Sequence, residues 1–253
     1  MYKFIEEHSL NAWPVLQSFC HDGWLLRFAK GYTKRSNSVS PIYSGIETDI
    51  IRKIHYCERA YVRCGLDTVF KVTPFVQPGN LDGILDREGY AVVDPSSVQI
   101  LDLSDVLEPS HQEIQMEQHL SAEWLSTMGR MNGLTEEDQE TTRYIAANSY
   151  FVKGFFTLYC RSVPVSCGIG VLDQGMVGLY DIVTDSSYRN QGFGMQLILH
   201  ILKWAKQMGA KQSYILVVKQ NRPAEALYEK IGYREIYTYW YRRKKCSELE
   251  SLL

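Results

Sequence analysis

The stretch that most constrains the fold runs from Met176 to Met208. An apolar segment, Met176–Thr184, leads into Asp185-Ser-Ser-Tyr-Arg189-Asn-Gln-Gly192-Phe-Gly194. From Gln191 to Met208, Leu197, Ile198, Ile201, Leu202 and Ala205 then recur on one helical face. Strand, glycine-containing turn and amphipathic helix form the unit around which the rest must be arranged. Glycines in such a turn let the backbone approach a ligand without Cβ obstruction. The free amides and positive dipole end of the following helix favour an anion, and a diphosphate fits that geometry. Taken alone, R-x-x-G-x-G also reads as a plain strand-to-helix turn.

The flanking segments read as a mixed α/β chain. Gly209 stops the helix, and Ser213–Val218 is a continuous apolar run of the kind buried on both faces. Pro223–Ile231 is a short helix with proline in its first turn, and Tyr233–Tyr241 is a last, aromatic strand. Alternation puts Tyr237, Tyr239 and Tyr241 on one face, an aromatic wall for a cationic amine if that face meets an acceptor cleft. Arg242, Arg243, Lys244 and Lys245 read as a solvated basic tail. Phe151–Cys160 and Val165–Leu172 are strands; helices are expected near Gln112–Leu120 and Glu136–Ala147, with Gly129–Gly133 as a break between them. Earlier, Gly23–Ala29 and Tyr32–Val39 read as strands around a Lys30-Gly31 turn, Glu47–Arg63 as a helix, Thr68–Thr73 as a strand, Leu81–Arg87 as a short helix and Tyr90–Val93 as a strand. Pro95–Ser97 reads as the seam between two halves, with the strand Val98–Leu103 opening the second.

The halves carry the same punctuation. Gly31 and Gly175 are 144 residues apart (175 − 31), Gly65 and Gly209 are 144 apart (209 − 65), and Gly89 and Gly232 are 143 apart (232 − 89). Strand, turn, strand, helix, strand, helix and strand recur in that register, as a degenerate repeat would require. At the offset of 144, Arg189, Gly192 and Gly194 face Gly45, Thr48 and Ile50; at 143, Asn221 faces Pro78 and Tyr228 faces Leu85. The first half thus lacks the glycines, the amide and the phenol, and reads as a cover or substrate-side wall.

Bulk properties narrow the class. A chain of 253 residues can bury a sizeable core. Net charge of −2 gives no basic surface of the kind nucleic-acid binding uses, so no nucleic-acid partner is expected. No apolar run approaches the roughly 20 residues of a membrane helix, and Met1–Leu10 lacks an apolar signal core, so a cytoplasmic protein is expected. The six cysteines form no CxxC pair; Cys57 with Cys64 and Cys160 with Cys167 could in principle share a zinc ion, against the plainer reading of buried thiols and no metal.

About thirty residues after the glycine turn comes Lys219-Gln-Asn221-Arg-Pro-Ala224-Glu-Ala-Leu-Tyr228-Glu-Lys-Ile-Gly232-Tyr233. The two segments together resemble the hallmark motifs of the GCN5-related N-acetyltransferase (GNAT) superfamily: its Q/R-x-x-G-x-G/A pyrophosphate loop and its N…A…LYEK-x-GF/Y segment. The match covers about 98–243 and is best over 177–234. The first half, with Trp24-Leu-Leu-Arg27-Phe, more loosely resembles tandem members with two copies of the fold. The resemblance implies a degenerate GNAT-like domain over 1–96 and a catalytic domain over 97–253. It implies that the chain is an enzyme, an acyltransferase using acetyl-CoA as co-substrate. The loop Arg189, Gln191, Gly192, Phe193 and Gly194 would hold the pyrophosphate. The backbone of Ile182, Val183 and Thr184 would pair with the pantetheine arm, which requires Met176–Thr184 and Ser213–Val218 to splay apart. Asn221 would bond the cofactor, cap its own helix, or do both. Tyr228 would protonate the departing thiolate, a task suited to a phenol neutral at pH 7.

Direct transfer also needs a proton acceptor for the amine. Asp181 and Tyr180 are the nearby candidates, with Asp181 the choice and a water chain the alternative. Alternation lets only one of the two face the slot unless a bulge intervenes. Asp185 is expected to belong to the turn, and no His or Asp stands beside Cys160 or Cys167 to suggest a covalent thioester. His200 reads as a surface or lining residue of the long helix. The expected partners are acetyl-CoA and an amine acceptor, small molecule or protein, with no membrane, in a monomer or homodimer. Two further readings stay open: a non-catalytic acyl-CoA sensor or interaction module, for which Tyr228 would be superfluous, and a protein acetyltransferase whose first half docks a macromolecule.

Overall fold

In the computed structural model, which describes residues 2–249, the first half runs α1 (Lys3–Ala12), β1 (Gln17–His21), β2 (Trp24–Phe28), β3 (Val39–Ser40), α2 (Ile50–Val62), β4 (Thr68–Val72), α3 (Leu81–Arg87) and β5 (Ala91–Asp102). The second half runs β6 (Ile114–Glu117), α4 (Ala122–Asn132), α5 (Glu136–Ala147), β7 (Val152–Cys160), β8 (Val163–Asp173), β9 (Met176–Thr184), α6 (Phe193–Gln207), β10 (Gln212–Val218), α7 (Arg222–Ile231) and β11 (Arg234–Lys244). The mixed α/β class follows directly. Among the described residues no helix is long and apolar enough to cross a membrane.

These elements sort into two units. One holds the residues up to Pro14, Val98–Val217 and Asn221–Ile236; the other holds Val15–Ser97, Val218–Gln220 and the residues from Tyr237 on. The cut between Ser97 and Val98 falls at the seam read from Pro95–Ser97, but the chain there is no linker. The expected strands Tyr90–Val93 and Val98–Leu103 are one strand, β5. The chain ends are also exchanged, α1 going with most of the second half and most of β11 with the first.

In the unit built mainly from the second half, the strands lie in the order β5-β10-β9-β8-β7-β6. β6 to β9 pair antiparallel, and β9 pairs parallel to β10. Leu197, Ile198, Ile201, Leu202 and Ala205 of α6 are buried against Val177 and Leu179 of β9 and Ile215 and Val217 of β10. Each such Leu or Ile contributes about 1.5–3 kcal/mol by its burial. The helix can sit this close because β8 presents glycine to it: a Cβ on Gly170 would lie 2.6 Å from Ile201 Cγ2 and 3.0 Å from Trp204 Cζ3. The other face is covered by α4 and α1. Trp124 Nε1 donates to the Phe156 carbonyl (3.0 Å), Trp13 stacks on Tyr180 (5.8 Å), and His8 pairs with Asp173.

The expected helix at 112–120 is instead the edge strand β6, whose Ile114–Glu117 face Leu158–Phe155. The helix begins later, where Ser121 accepts from the Trp124 amide and caps α4. Gly129 does not break the chain. It lies inside α4, where a Cβ would meet Gln139 Cδ at 2.6 Å, so it allows α4 and α5 to approach; the stop is Gly133, at φ 66°.

In the other unit the strand order is β1-β2-β3-β4-β11, around a core that includes Trp24, Leu26, Ile54, Tyr61, Phe70 and Leu81. The hairpin lies one step earlier than expected, turning at Asp22-Gly23 to pair β1 with β2. Tyr32–Asn37 is a loop, not a strand. Its Asn37 carboxamide accepts from the Ala29 amide (2.7 Å) and the Gly31 amide (3.0 Å) and donates to the Tyr32 and Thr33 carbonyls (2.8 and 2.9 Å). The basic tail is also corrected. Arg242 is buried in β11, its guanidinium on Asp82 (2.7 Å), Asp86 (2.6 Å) and the Tyr90 carbonyl (2.9 Å). Tyr237, Tyr239 and Tyr241 are all buried, and the face of Tyr239 is already taken by Lys71 Nζ at 4.2 Å.

Candidate active site

The parallel ladder between β10 and β9 is short. Gln212, Ser213 and Tyr214 pair with Met176, Val177 and Gly178, where the parallel ladder ends. A strand that loses its neighbour leaves backbone donors and acceptors open for an added extended chain. Past that ladder β9 continues to Ile182, Val183 and Thr184, which lie just before the glycine turn. A cleft of about 490 Å³ lies there. It is lined by the sequence-predicted residues Ile182, Val183, Thr184, Arg189, Gly192 and Phe193, and also by Gly194, Asn221 and Tyr228.

The turn is built for close approach. Gly192 caps α6 at φ 86°, and a Cβ there would meet no protein atom within 4 Å. Asn190 also sits left-handed, at φ 60°. The first-turn amides of α6 have no intrahelical acceptor, no side chain caps them, and no acidic residue stands in that turn. The cleft therefore offers amides and a positive helix end to an anion. Arg189 lies exposed beside it, its Nε donating to the Thr184 carbonyl (3.4 Å). Gln191 is in the same turn but does not line the cleft; its side chain donates to the Ser187 carbonyl (3.3 Å). Asp185 belongs to the turn: its carboxylate accepts from the Ser187 amide (3.0 Å) and pairs with Arg130 (2.7 Å), which hold it below the usual carboxylate range.

Asn221 takes the capping role, accepting from the Ala224 amide at 3.3 Å, while also lining the cleft. Tyr228 comes from α7. Its ring packs edge-on against Tyr233 (5.8 Å), and among the described residues nothing hydrogen-bonds its phenol. Burial pushes that phenol up from its ordinary value, so it stays a neutral donor. Tyr233, by contrast, spends its hydroxyl on Ser213 (2.6 Å).

A bulge settles the Tyr180–Asp181 alternation. Cys167 faces Val183 but Ile169 faces Tyr180, so Asp181 and Ile182 together oppose Gly168, with Asp181 at φ 49°. Ile182 packs toward α6, whereas Tyr180 stacks on Trp13 and shares a hydrogen bond with Tyr214 (2.7 Å). The negative charge of Asp181 is felt by Lys153 and Cys167, and Cys167 touches Met131 of α4. Asp181 thus lies with Tyr180 on the face away from α6, beside the cleft and not in its lining. Burial pushes the Cys167 thiol up to about 12, which removes it as a nucleophile. His200 bonds the His111 carbonyl (2.7 Å). Among the described residues no group of three or more His, Cys, Asp or Glu side chains could hold a metal ion.

Sequence reasoning missed Asn132, Tyr188 and Leu227 in the cleft lining. Leu227 stands beside Tyr228 on α7 at helical spacing from Ala224 and could have been read. Asn132 ends α4 and reaches the cleft from a distant segment that carries no motif.

The model of a family described as probable histone acetyltransferase Rv0428c C-terminal matches residues 3–242. The chain belongs to this family of GCN5-related N-acetyltransferases. It is accordingly an acyltransferase that transfers groups other than aminoacyl groups. A Bacillus subtilis (strain 168) protein, the uncharacterized N-acetyltransferase YobR, is 29% identical over 245 residues, covering 95% of this chain and 98% of the relative. Among solved structures, a GCN5-related N-acetyltransferase from Kribbella flavida superposes with a TM-score of 0.68 at 14% identity, covering 91% of this chain and 90% of that one. A tandem GNAT protein from the clavulanic acid biosynthesis pathway superposes with a TM-score of 0.57 at 13% identity, covering 78% and 69%. At those identities the two structures speak for the fold alone.

Proposed function

We propose that this N-acetyltransferase takes the acetyl group from acetyl-CoA and passes it directly to a primary amine in a ternary complex. The observation that carries the reading is the cleft at the end of β9, where a strand that has run past its parallel ladder, a helix N-terminus begun by glycine and the Tyr228 phenol converge. The pyrophosphate would rest on the amides of Gln191 to Gly194, with Arg189 beside it, and the pantetheine arm along Ile182, Val183 and Thr184. Asn221 would bond the cofactor with the part of its carboxamide not used for capping. The amine nitrogen attacks the thioester carbonyl, backbone amides stabilise the oxyanion, the C–N bond forms and the C–S bond breaks. Asp181, directly or through water, takes the amine proton, and Tyr228 donates to the departing thiolate. A buried slot raises the thiolate's own proton affinity, which makes that donation easier.

The six paired glycines support a tandem reading, with residues 1–96 as a degenerate copy and 97–253 as the catalytic one. Gly31, Gly65 and Gly89 have φ of 84°, 66° and 83°, and their counterparts Gly175, Gly209 and Gly232 have 78°, 89° and 109°. The test is release of free CoA thiol from acetyl-CoA across a panel of amines. Amine-dependent release that collapses in Tyr228→Phe supports the mechanism. Acetyl-CoA binding with no release on any amine sinks it and leaves the acyl-CoA sensor.

A further inference from the structure

The bulge in β9 is shaped from the neighbouring strand β8. Ser166 pairs with Thr184 and Cys167 with Val183, and Gly168 stands opposite the extra residue. Gly168 makes room there. A Cβ on it would lie 2.4 Å from Ile182 Cδ1 and 3.3 Å from Leu197 Cδ2 of α6. Its φ is not left-handed, so this glycine serves space and not backbone conformation. Carbon atoms pack at about 3.5 Å or more, so a methyl at this position would force the Ile182 side chain to move by about 1 Å.

Ser166 holds the same stretch by hydrogen bonds. It is fully buried, and its hydroxyl lies 2.7 Å from the Val183 carbonyl and 3.0 Å from Thr184 Oγ1. Chemistry fixes the direction of this chain. A carbonyl only accepts, so the single Ser166 proton goes to Val183, and Thr184 donates to Ser166. Gly194 in turn leaves room for the pinned threonine, since a Cβ there would lie 3.1 Å from Thr184 Oγ1. Ile182, Val183 and Thr184 all line the cleft, whereas Ser166 and Gly168 do not.

We propose that Ser166 and Gly168 are positioning residues for the cofactor. Without touching it, they fix where Ile182, Val183 and Thr184 meet the pantetheine arm. This rests on the acetyl-CoA reading of the cleft. A binding edge has to be held within about 0.5 Å of its working geometry, and these two residues supply that support from the next strand.

The experiment is calorimetric titration of the full chain with acetyl-CoA, each variant beside a melting curve that shows it folded at the titration temperature. Gly168→Ala should weaken acetyl-CoA by about tenfold. Ile182→Val removes the Cδ1 that the new methyl would strike. Added to Gly168→Ala, it should restore most of the lost affinity, although alone it weakens binding slightly; that non-additivity reads the contact. Ser166→Ala should weaken acetyl-CoA about three- to tenfold. With Thr184→Val added, the loss should be less than the product of the two single losses, because both variants break one bond. Should Gly168→Ala fail to fold, its double variant with Ile182→Val and Ser166→Ala carry the test. A role in packing alone would lower the melting temperature and leave the affinity of the folded protein at the wild-type value. Full affinity in folded Gly168→Ala or Ser166→Ala, or losses that simply multiply in the double variants, would overturn the proposal while the cofactor reading stands. Absence of acetyl-CoA binding by wild type would overturn the cofactor reading, and this proposal with it.

Discussion

The two strand-to-helix turns that the proposed repeat would bring into register differ in what occupies their amides. Before α6, the residues around Asn190 and Gln191 lead to an uncapped glycine, and the amides face an open cleft. At the offset of 144, Asn190 and Gln191 correspond to Ile46 and Glu47 ahead of α2. There the amides are already occupied: the Asp22 carboxylate accepts from Ile46 (2.7 Å) and Glu47 (3.1 Å). Lys53 then bonds that carboxylate (2.9 Å) and lies over Trp24 at 4.1 Å. Asp49 caps α2 by accepting from the Arg52 amide (3.0 Å). One turn carries its own anion and countercation; the other opens on a cleft with no acidic residue in the helix's first turn.

The largest effect that could break this contrast is on chemistry. Tyr228→Phe should lower turnover by about 10²–10⁴-fold with acetyl-CoA affinity nearly kept; steady-state rates near wild type would remove Tyr228 from the mechanism, and the first half's Leu85 would cease to mark a difference. Next comes Gly192→Asn. Asparagine tolerates the left-handed φ that a valine would not, so the added side chain tests crowding of the phosphate with little backbone strain. Affinity for acetyl-CoA should fall about tenfold or more, measured beside a melting curve that shows an intact fold. Asp181→Asn should slow turnover by about tenfold and weaken the acid limb of the rate profile; an unchanged pH profile assigns the proton to water.

The smallest effect is on stability. Asp22→Ala should lower the melting temperature by a few degrees near neutral pH. The hydrogen bond from Lys53, above all, holds the Asp22 carboxyl at about 2. Its folded value is depressed, so its contribution is present above the ordinary carboxylate range and is lost as pH falls from about 4 toward about 2. The gap between wild type and variant should therefore close in acid. A gap that stays constant with pH would mean that Asp22 acts through shape alone.

What was legible in the sequence followed locality. The strand Met176–Thr184, the helix near Gln191–Met208 and both cofactor motifs are contiguous, and their glycines, apolar period and capping residues declare themselves within a few positions. Contacts across long separations did not. Arg242 looked like a solvated tail because Asp82 and Asp86, which bury it, lie far away in the chain. Asp22-Gly23 was local and still passed over, although Asp-Gly is a strong hairpin signal; the apolar run after it drew the strand boundary instead. The bulge at Asp181 was foreseen only as a condition, because a two-residue period cannot say where it slips.

One measurement reaches the central claim directly: calorimetric titration with acetyl-CoA of wild type, Gly192→Asn and Asp22→Ala. An open turn in the second half and a filled one in the first predict one binding event per chain, lost or much weakened in Gly192→Asn and unchanged in Asp22→Ala. Two events per chain, or full affinity in a folded Gly192→Asn, would contradict it.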